Sequence, residues 1–527
     1  MLDDIPTELK VAFQRLSKDY PARVPYCHPC EFKFLEQNSE FWLKQVWKII
    51  SADHFTADSA PSLLLPKKDF QTRPAVALSL RDQLIYHYLA LCSLPYIKAE
   101  NNWSENTVRF SYRVLPNGSH WFKNRFKSWR AFDKVSIGRA SSDCVEYVVV
   151  ADVSAYYENI DIGKLGRVLQ AAGVPHHLNS KLQVCWKKWS GQRGRGIPQV
   201  YSPSHVFGEF FLDSIDKALK TEGFEHLRYV DDIRIFAPDL LTARKAQHRL
   251  SILLRDKGLN VQSAKSCILS AQKSVERFTQ VRIALSKVSR SIGQELQSLA
   301  ADFGISISPE ELDKYFQEID PEDPPVEVIE SAWSRYESGE FGDFDTTLFH
   351  YLSNKLKQVK STAAVSYMIL LLSNRPEETE HALRHLEALR DKLSSAEVDN
   401  LADILYSPTT LLPMQRFYVL NWFLNVNLKN EKVLAYCRVN VSTTTPHQLT
   451  RPQCIEYLGR WAEGAHDWDR IVDVLHQDMS SLGRLACTFA LGLAPKPISS
   501  PVFSQIQGES CFIDWCLQSA KRRNASN

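Results

Sequence analysis

The chain has 527 residues, too many for one ordinary hydrophobic core, and roughly two to four domains are expected. Hydrophobic residues make up 44% and charged residues 24%, as in globular proteins, and 63 basic residues nearly balance 61 acidic ones. This balance excludes a protein that binds nucleic acid through overall basicity, so any polyanion site must come from local clusters. No apolar run approaches the ~20 residues needed to cross a bilayer, which predicts a soluble protein without membrane contact.

The N-terminal region, residues 1–60, is predicted to be mainly helical. Its start, MLDDIPTELK, lacks the basic and apolar regions of a signal peptide, and the 11 cysteines are scattered. A reduced protein in the cytoplasm is therefore expected. Cys27 and Cys30 form a lone CHPC without a second pair at zinc-finger spacing, which argues against a zinc site there.

Three further regions follow along the chain. Residues 61–275 alternate short β-rich runs with helical stretches, as expected of an α+β domain. Residues 276–325 are predicted to form a helical connector that ends in the acidic, proline-rich linker Asp320–Pro325. Residues 326–527 contain apolar stretches such as AAVSYMILLLS and MQRFYVLNWFLNV, separated by polar segments. A stack of helices is predicted there, although no strict repeat period is visible.

Two segments within residues 61–275 place carboxylates next to strands. In EYVVVADVSAYYENID, a buried-type strand over 147–150 leads to Asp152. In RYVDDIRIF, two short strands meet at a tight turn with Asp231 and Asp232 at its tip. The second segment alone is equally compatible with a solvated hairpin.

Taken together, the two segments suggest a metal site. Asp152 and the Asp231/Asp232 hairpin can lie side by side in one sheet, where like charges repel unless a cation offsets them. Hard oxygen ligands suit Mg²⁺, and two such ions about 4 Å apart stabilise the attacking and leaving oxygens of phosphoryl transfer.

At this point the chain resembles a reverse transcriptase over roughly residues 60–270. The motifs that carry the resemblance occur in the expected order: LPKKDFQTRPAVALSLRD at 65–82, DVSAYY from Asp152, GIPQVYSPSHVFGEFFL at 196–212, YVDD from Tyr229 and GLNVQSAKS at 258–266. Each motif alone is weak, but five in order are specific. The resemblance implies a right-hand polymerase with α+β fingers and palm, followed here by an all-helical, repeat-like region.

The resemblance also implies roles for individual residues. The metal site would comprise Asp152, Val153, Asp231 and Asp232, binding two Mg²⁺ ions, with Mn²⁺ as an alternative. The residues implied to bind the incoming dNTP are Lys67, Lys68, Arg73, Tyr157, Gln199 and Lys265. Among these, the basic residues near position 70 would meet the triphosphate, Tyr157 would abut the sugar 2′ position, and Lys265 would protonate the leaving pyrophosphate.

Each of these roles has a structural alternative. Lys67 and Lys68 also fit a solvated basic turn, and Tyr157 fits the packing at a strand end. Lys265 could instead cap a helix.

Two positions depart from the common pattern of the family. Val200 replaces a glycine that is usual in template-dependent reverse transcriptases, and Glu209 stands where many relatives have Asn. Glycine lets the backbone approach a ligand closely, whereas valine adds a branched side chain, so template handling is expected to differ. With the helical C-terminal region, this pattern most resembles the bacterial abortive-infection (Abi) branch. That branch implies phage defence, homo-oligomers and, in some members, untemplated DNA synthesis primed from a protein hydroxyl.

Two segments mix basic and aromatic residues, WFKNRFKSWR at 121–130 and WKKWSGQRGRG at 186–196. This mixture suits phosphate contact and base stacking, with DNA, and RNA as a second candidate, as the partner. The alternative is that the aromatic residues belong to the core and the basic residues to its solvated face.

The predicted activity is nucleotidyl transfer from dNTP to a 3′ hydroxyl or, at initiation, to a protein hydroxyl. The alternative is a template-dependent, RNA-directed DNA polymerase of retron or group II intron type. A catalytically inactive binder predicts lost carboxylates, and a helical scaffold accounts only for the C-terminal region. Candidate priming tyrosines in that region, each also compatible with packing, are Tyr315, Tyr336, Tyr351 and Tyr406.

Overall fold

The computed structural model describes residues 5–23, 39–101, 108–115, 117–123, 125–191, 193–279, 326–442, 449–477, 481–508 and 514. The chain divides into two compact units. The first comprises Met1–Leu63 and Pro74–Gln280, and the second comprises Leu64–Arg73 and Val281–Asn527. The CHPC segment, the acidic linker and Tyr315 lie outside the described residues.

The first unit combines helices with a small sheet. Its helices are α1 Thr7–Arg23, α2 Ser39–Ser51, α3 Leu80–Asn101, α4 Arg125–Ala140, α5 Tyr156–Asn159, α6 Ile162–Ala171, α7 His176–Trp189, α8 Ser202–Thr221 and α9 Leu240–Asp256, and residues 271–279 are also helical. Its strands are β1 Ser62–Pro66, β2 Thr72–Val76, β3 Tyr147–Asp152, β4 Glu225–Tyr229, β5 Asp232–Ala237 and β6 Cys267–Ser270, although Leu64–Arg73 of the β1–β2 hairpin are assigned to the second unit. The predicted α+β composition of this region is confirmed.

The central sheet has the strand order β4-β5-β3-β6, and all its neighbours are antiparallel. β3 is a run of β-branched residues buried on both faces, which is why it occupies an interior position. β4 and β5 form the predicted hairpin, in which Tyr229 pairs with Asp232. In the β3–β5 pairing, Asp152 lies opposite Asp232. The register of this sheet therefore places the ends of β3 and β5 together.

Helix α8 is buried along almost its whole length and packs against α3. An aromatic cluster joins these helices to α7, with Tyr86 stacked on Phe207 at 6.0 Å and in edge contact with Trp186 and Trp189. The Tyr86 hydroxyl hydrogen-bonds Ser204 at 2.7 Å and accepts from the Trp186 indole at 3.0 Å. Because the hydroxyl group of Tyr86 and the indole nitrogens of Trp186 and Trp189 are satisfied, the cluster packs α3, α7 and α8 together without a loss of hydrogen bonds.

In the two segments that mix basic and aromatic residues, the tryptophans and the basic residues differ in burial. Trp121, Trp186 and Trp189 are buried, and their indole nitrogens donate to His87, Tyr86 and Asp82, respectively. The basic residues of the same segments are exposed where described: Lys123, Lys127, Arg130, Lys187, Lys188, Arg193 and Arg195. The prediction of base stacking is therefore wrong for Trp121, Trp186 and Trp189, since their rings are core residues, and phosphate contact by the exposed basic residues stays a prediction.

Where it is described, the second unit is helical apart from its share of the β1–β2 hairpin, as predicted for residues 326–527. Its helices are α10 Val326–Glu337, α11 Thr346–Gln358, α12 Val365–Asn374, α13 Thr379–Ala388, α14 Ser395–Asp403, α15 Pro413–Asn425, α16 Glu431–Ser442, α17 Thr450–Arg460, α18 Ala465–Gln477, α19 Ser481–Leu491 and α20 Lys496–Ile506. The two apolar stretches noted in the sequence form α12, of 10 residues, and α15, of 13 residues. Among the described residues, no helix is both long and apolar enough to span a bilayer.

These helices form two rows. Helices α11, α13, α15, α17 and α19 contact one another in succession, and α12, α14, α16 and α18 form the second row. Two successive helices, one from each row, are called a rung here. Side-chain hydrogen bonds between neighbouring rungs recur at a nearly constant spacing in the sequence. Lys432 to Asp403 and Arg438 to Asp467 each join residues 29 apart, and Arg470 to the Arg438 carbonyl joins residues 32 apart. The predicted stack of helices is thus a solenoid-like array with a spacing of about 30 residues.

Gly459 lies where α17 packs against α19, and its replacement tests how closely these two helices pack. A Cβ at this position would lie 2.4 Å from the Ala490 Cβ and 2.9 Å from its Cα, on α19. Gly459→Ala should therefore destabilise the array by about 1–3 kcal/mol, because the backbone of α19 must move. Thermal and urea unfolding of the full chain measure the change.

The matched control is Gly464→Ala, since a Cβ there meets no atom within 4 Å. It should unfold like the wild-type protein. Equal stability of both variants would contradict the close packing of α17 on α19.

Candidate active site

Three carboxylates meet where the central strands end. Asp152 is the last residue of β3 and Asp232 the first of β5, while Val230 and Asp231 form the two-residue turn between β4 and β5. Asp152, Asp231 and Asp232 each contribute an oxygen atom that lies within 4.8 Å of the other two. The juxtaposition predicted from the sequence is present, with the difference that Asp232 belongs to the strand and not to the tip of the hairpin.

Backbone hydrogen bonds fix the end of β3. The Val153 N–H donates to the Asp231 carbonyl at 3.2 Å, and the Ser154 N–H donates to the Asn260 carbonyl at 2.8 Å. The Asp152 carbonyl accepts from the Gln262 N–H at 2.7 Å, and the Asp152 N–H donates to the Ser266 Oγ at 3.1 Å. The GLNVQSAKS segment thus packs directly alongside the start of the DVSAYY motif.

The cluster is electrostatically unfavourable in the absence of a cation. Burial, together with Asp232 and Asp152, raises the pKa of Asp231 to about 7. Burial and Asp152 raise the pKa of Asp232 to about 6, although Arg234 partly opposes this. Both carboxyls are held in partly desolvated positions near other negative charges, so a divalent cation would stabilise their ionised form.

Lys265 is brought to this cluster, as the motif order suggested. Its Nζ lies 3.5 Å from a carboxylate oxygen of Asp152, and its side chain is 66% exposed. An exposed ammonium group can move without breaking core contacts. Lys265 can therefore reach a phosphate group bound beside Asp152.

Tyr157 lies on the short helix α5, directly after the strand end. Its hydroxyl group hydrogen-bonds the His205 Nδ1 at 2.7 Å. Its ring packs on α8 at Gly208, where a Cβ would lie 2.9 Å from the ring. Gly208 thus allows the close approach that holds Tyr157 in place. Its proposed role at the sugar 2′ position stays a prediction.

Gln199 is buried, and its side-chain amide donates to the Glu158 carboxylate at 3.1 Å. This bond ties the GIPQ segment to α5. Contact between Gln199 and a dNTP also stays a prediction.

The basic residues of the first motif lie on the β1–β2 hairpin. Lys67 is half-buried, whereas Lys68 and Arg73 are exposed. The Lys67 N–H donates to the Gln71 carbonyl at 2.7 Å, which closes the turn. Residues Leu64–Arg73 belong to the second unit, whereas the carboxylates belong to the first. Binding of the triphosphate by these three residues remains a prediction.

Unusual backbone conformations occur at several residues of these motifs. Val200 has φ +70° and Val230 has φ +57°, although both are β-branched, and Ala155 and Tyr112 also have positive φ values. This region of φ favours glycine and is costly for branched residues. Val200 thus adopts a backbone conformation that a glycine would adopt at lower cost.

Behind the carboxylates lies a buried charged network that the sequence did not reveal. Arg228 is fully buried and donates to Glu209 at 2.9 Å and to both carboxylate oxygens of Asp216, at 3.0 and 2.6 Å. Burial by itself would lower the pKa of Arg228, but Asp216 and Glu209 raise it above its ordinary value. The guanidinium group therefore stays charged.

The only sequence signal for this network was Glu209, noted as a departure from the family pattern. The structure gives that carboxylate a partner in the core, Arg228, and a second in Ser111. Ser111 reaches the network because residues 108–110 run beside β4, with an isolated parallel bridge between Arg109 and Arg228. The Ser111 hydroxyl group also accepts a hydrogen bond from the Val230 N–H, 119 positions further along the chain. No local sequence pattern could indicate a contact between residues so far apart.

Comparison with known protein families identifies one domain of the chain. A model of the family described as reverse transcriptase (RNA-dependent DNA polymerase) matches residues 126–282. This span holds the three carboxylates, Tyr157 and Lys265. Residues 126–282 form a reverse transcriptase domain. The chain therefore carries a nucleotidyl polymerase fold, and the predicted polymerase core followed by a helical region is confirmed.

Solved structures give weaker similarities, and no curated protein matches the chain. Telomerase from Candida tropicalis in complex with a TWJ fragment of telomeric RNA is 12% identical, with 70% of this chain and 67% of that chain covered and a TM-score of 0.30. The corresponding Candida albicans complex is 11% identical, with coverages of 80% and 70% and a TM-score of 0.30. Apo telomerase from Candida tropicalis is 12% identical, with coverages of 92% and 74% and the same TM-score. Similarity at this level does not indicate a shared function.

The raised pKa values of the reverse transcriptase carboxylates predict how stability depends on pH in the metal-free protein. Because the folded-state pKa values of Asp231 and Asp232 lie above the value of about 3.9 expected in the unfolded chain, the stability that these two carboxyls contribute should be fully present below about pH 4 and be lost as pH rises through 6 and 7. Each unit of pKa difference corresponds to about 1.4 kcal/mol. Asp231→Asn should make this fall shallower.

Urea unfolding in EDTA between about pH 5 and pH 8 measures the effect. Asp391→Asn is the control, since the Asp391 side chain is 90% exposed, and it should follow the wild-type curve. An Asp231→Asn curve as steep as that of the wild-type protein would contradict the proposed carboxylate repulsion.

Proposed function

We propose that this protein is a DNA polymerase that adds dNTPs by a two-metal mechanism, with Mg²⁺ as the natural ion and Mn²⁺ as a substitute. The observation that carries the proposal is the cluster of Asp152, Asp231 and Asp232 within a reverse transcriptase domain. Carboxylate oxygens are the hard ligands that Mg²⁺ prefers. Asp152 and Asp231 would hold the ions, with Asp232 and Val153 beside them. When bound, such ions activate the attacking hydroxyl group and neutralise charge on the leaving pyrophosphate.

The protein's own residues would position the other reactants. Lys265, exposed and 3.5 Å from Asp152, would donate a proton to the pyrophosphate as it leaves. Tyr157, fixed by His205 and packed on Gly208, would exclude a ribose 2′ hydroxyl group by steric contact. Lys67, Lys68 and Arg73 would bind the triphosphate.

A cavity in the first unit supports binding of a nucleic acid strand. It has a volume of about 440 Å³ and is lined by Glu158, Asn159, Arg193, Arg195 and the segment Gly196–Gln199, with β2 on another side. The guanidinium groups of Arg193 and Arg195 are suited to phosphate. We propose that the growing or templating strand passes through this cavity, with DNA as the product.

Replacement of the metal ligands tests the activity. Asp152→Asn and Asp231→Asn should each reduce dNTP incorporation at least about 100-fold, because each removes charge that stabilises the bound ions. Incorporation of labelled dNTP at saturating Mg²⁺ measures the loss. Circular dichroism and thermal unfolding check that the variants fold.

The exposed Asp391→Asn variant is again the control, and it should retain wild-type incorporation. Near-normal activity of either metal-ligand variant would exclude the assignment of these carboxylates.

The mode of synthesis follows from the resemblance to the Abi branch and from Val200. We propose that synthesis begins on a hydroxyl group of the protein itself and proceeds with little dictation by a template. At Val200 a branched side chain projects from a backbone segment where glycine would leave space. The same resemblance supports a role in bacterial phage defence and assembly into a homo-oligomer.

The described tyrosines differ in their suitability as primers. Tyr336 is buried beside Trp333, and Tyr351 packs against the core of the helical array. Tyr406 is 52% exposed, although its hydroxyl group donates to the Lys432 carbonyl at 2.6 Å. Tyr406 is thus the most accessible of the three and the first to replace in a search for the priming hydroxyl.

Template-dependent synthesis is the second candidate, and one observation favours it. Val200 has φ +70°, in the region that favours glycine, so this segment would follow the path that a glycine there would take, next to the cavity of about 440 Å³. This candidate corresponds to an RNA-directed DNA polymerase of retron or group II intron type.

One experiment separates the two candidates. Purified protein is incubated with labelled dNTP without added nucleic acid, denatured, and analysed on a protein gel before and after protease treatment. Under the self-priming proposal, the label should remain with the protein and be released only by protease, and Tyr406→Phe should reduce it if Tyr406 is the primer.

Asp231→Asn is the negative control and should give no label. Label that appears only with an added primer and template, and is free of protein, would favour the second candidate.

A further inference from the structure

The turn that carries Asp231 is closed into a ring of hydrogen bonds. Ser111 Oγ accepts the Val230 N–H at 2.8 Å and donates to one carboxylate oxygen of Glu209. Arg228 Nη1 donates to the Val230 carbonyl at 2.9 Å and to the other Glu209 oxygen at 2.9 Å. Both backbone polar groups of Val230 are therefore held by one carboxylate, through Ser111 on one side and Arg228 on the other.

Val230 is the residue that needs such support. It is β-branched, has φ +57° and lies directly before Asp231. A conformation of this kind persists only where surrounding contacts determine it. The turn also holds Asp231 close to Asp152 and Asp232, against the mutual repulsion of the three carboxylates.

The ring is firmly anchored in the core. Arg228, Glu209 and Ser111 are all buried, with exposures of 0%, 4% and 3%. Asp216 binds the remaining donors of Arg228 and in turn contacts His226 at 3.3 Å. The guanidinium group therefore has little freedom to rotate away from the Val230 carbonyl.

We propose that Glu209, Ser111 and Arg228 form a clamp that positions the metal-binding turn, with Glu209 as the residue that closes it. These are positioning residues, since Ser111 and Arg228 touch the backbone of Val230, Glu209 joins the two, and none of the three is placed among the reacting groups. This inference rests on the proposed metal site of Asp152, Asp231 and Asp232. It assigns a role to the Glu209 departure, which is to hold the hairpin and not to contact a template.

The test is Mn²⁺ binding to the full chain, followed by electron paramagnetic resonance. Ser111→Ala frees the Val230 N–H, and Glu209→Gln removes the charge that pairs with Arg228. Each should weaken Mn²⁺ binding about tenfold or more, as is typical when groups that orient metal ligands are lost. Because the two residues belong to one ring, the double variant should lose less than the product of the two single effects.

Ser93→Ala is the matched control. Ser93 is also fully buried and its hydroxyl group donates to the Leu89 carbonyl at 2.8 Å, within α3. Its loss should lower the melting temperature to a similar extent as Ser111→Ala but leave Mn²⁺ affinity unchanged. If Glu209→Gln does not fold, Ser111→Ala and Ser93→Ala alone decide the question.

A second comparison tests whether the clamp acts by supporting the strained turn. Val230→Gly removes the Cβ, so positive φ no longer carries a cost. In that background, Ser111→Ala should weaken Mn²⁺ binding less than it does in the wild-type chain. An equal effect in both backgrounds would overturn this part of the proposal.

The outcomes also separate the clamp from the proposed function. A wild-type protein that binds no Mn²⁺ would overturn the metal site itself. A wild-type protein that binds Mn²⁺, with an unchanged affinity in Ser111→Ala, would overturn only the clamp.

Discussion

Three carboxylates repel one another at the ends of β3 and β5, and the rest of the first unit must hold them together against this repulsion. The antiparallel register brings Asp152 opposite Asp232, and the two-residue turn adds Asp231. This arrangement is electrostatically unfavourable, since burial and the neighbouring carboxylates raise the pKa values of Asp231 and Asp232. The sheet and the GLNVQSAKS segment hold together groups that would otherwise separate.

Behind the site, charges of opposite sign are matched within the core. Arg228 pairs with Glu209 and Asp216, and Arg109 pairs with Asp213 at 3.2 Å. Such pairs contribute little net stability because desolvation offsets their attraction, but removal of one partner leaves an uncompensated buried charge. Their value here is geometric, since the planar guanidinium group of Arg228 fixes several acceptors at once.

The sequence was sufficient wherever the signal was local. A run of β-branched residues ending in Asp152 predicted β3, and YVDD predicted the hairpin, because strand propensity and turn chemistry act over a few residues. The clamp could not be predicted, since it joins Ser111, Glu209 and Arg228 from distant parts of the chain. The tryptophans of the basic segments were ambiguous for a related reason: burial depends on which surfaces meet in the fold.

The two-row arrangement of helices in the second unit has a consequence for how that part of the protein loses structure and evolves. Each rung bonds mainly to the rung about 30 residues away, as Lys432 does to Asp403 and Arg438 to Asp467. In such an array each rung is stabilised mainly by its neighbours, so unfolding that begins at one end proceeds inward one rung at a time. For the same reason, an inserted or deleted helix pair alters only the interface at which it occurs. The length of this array can therefore vary among descendants of the chain while the remaining rungs keep their packing.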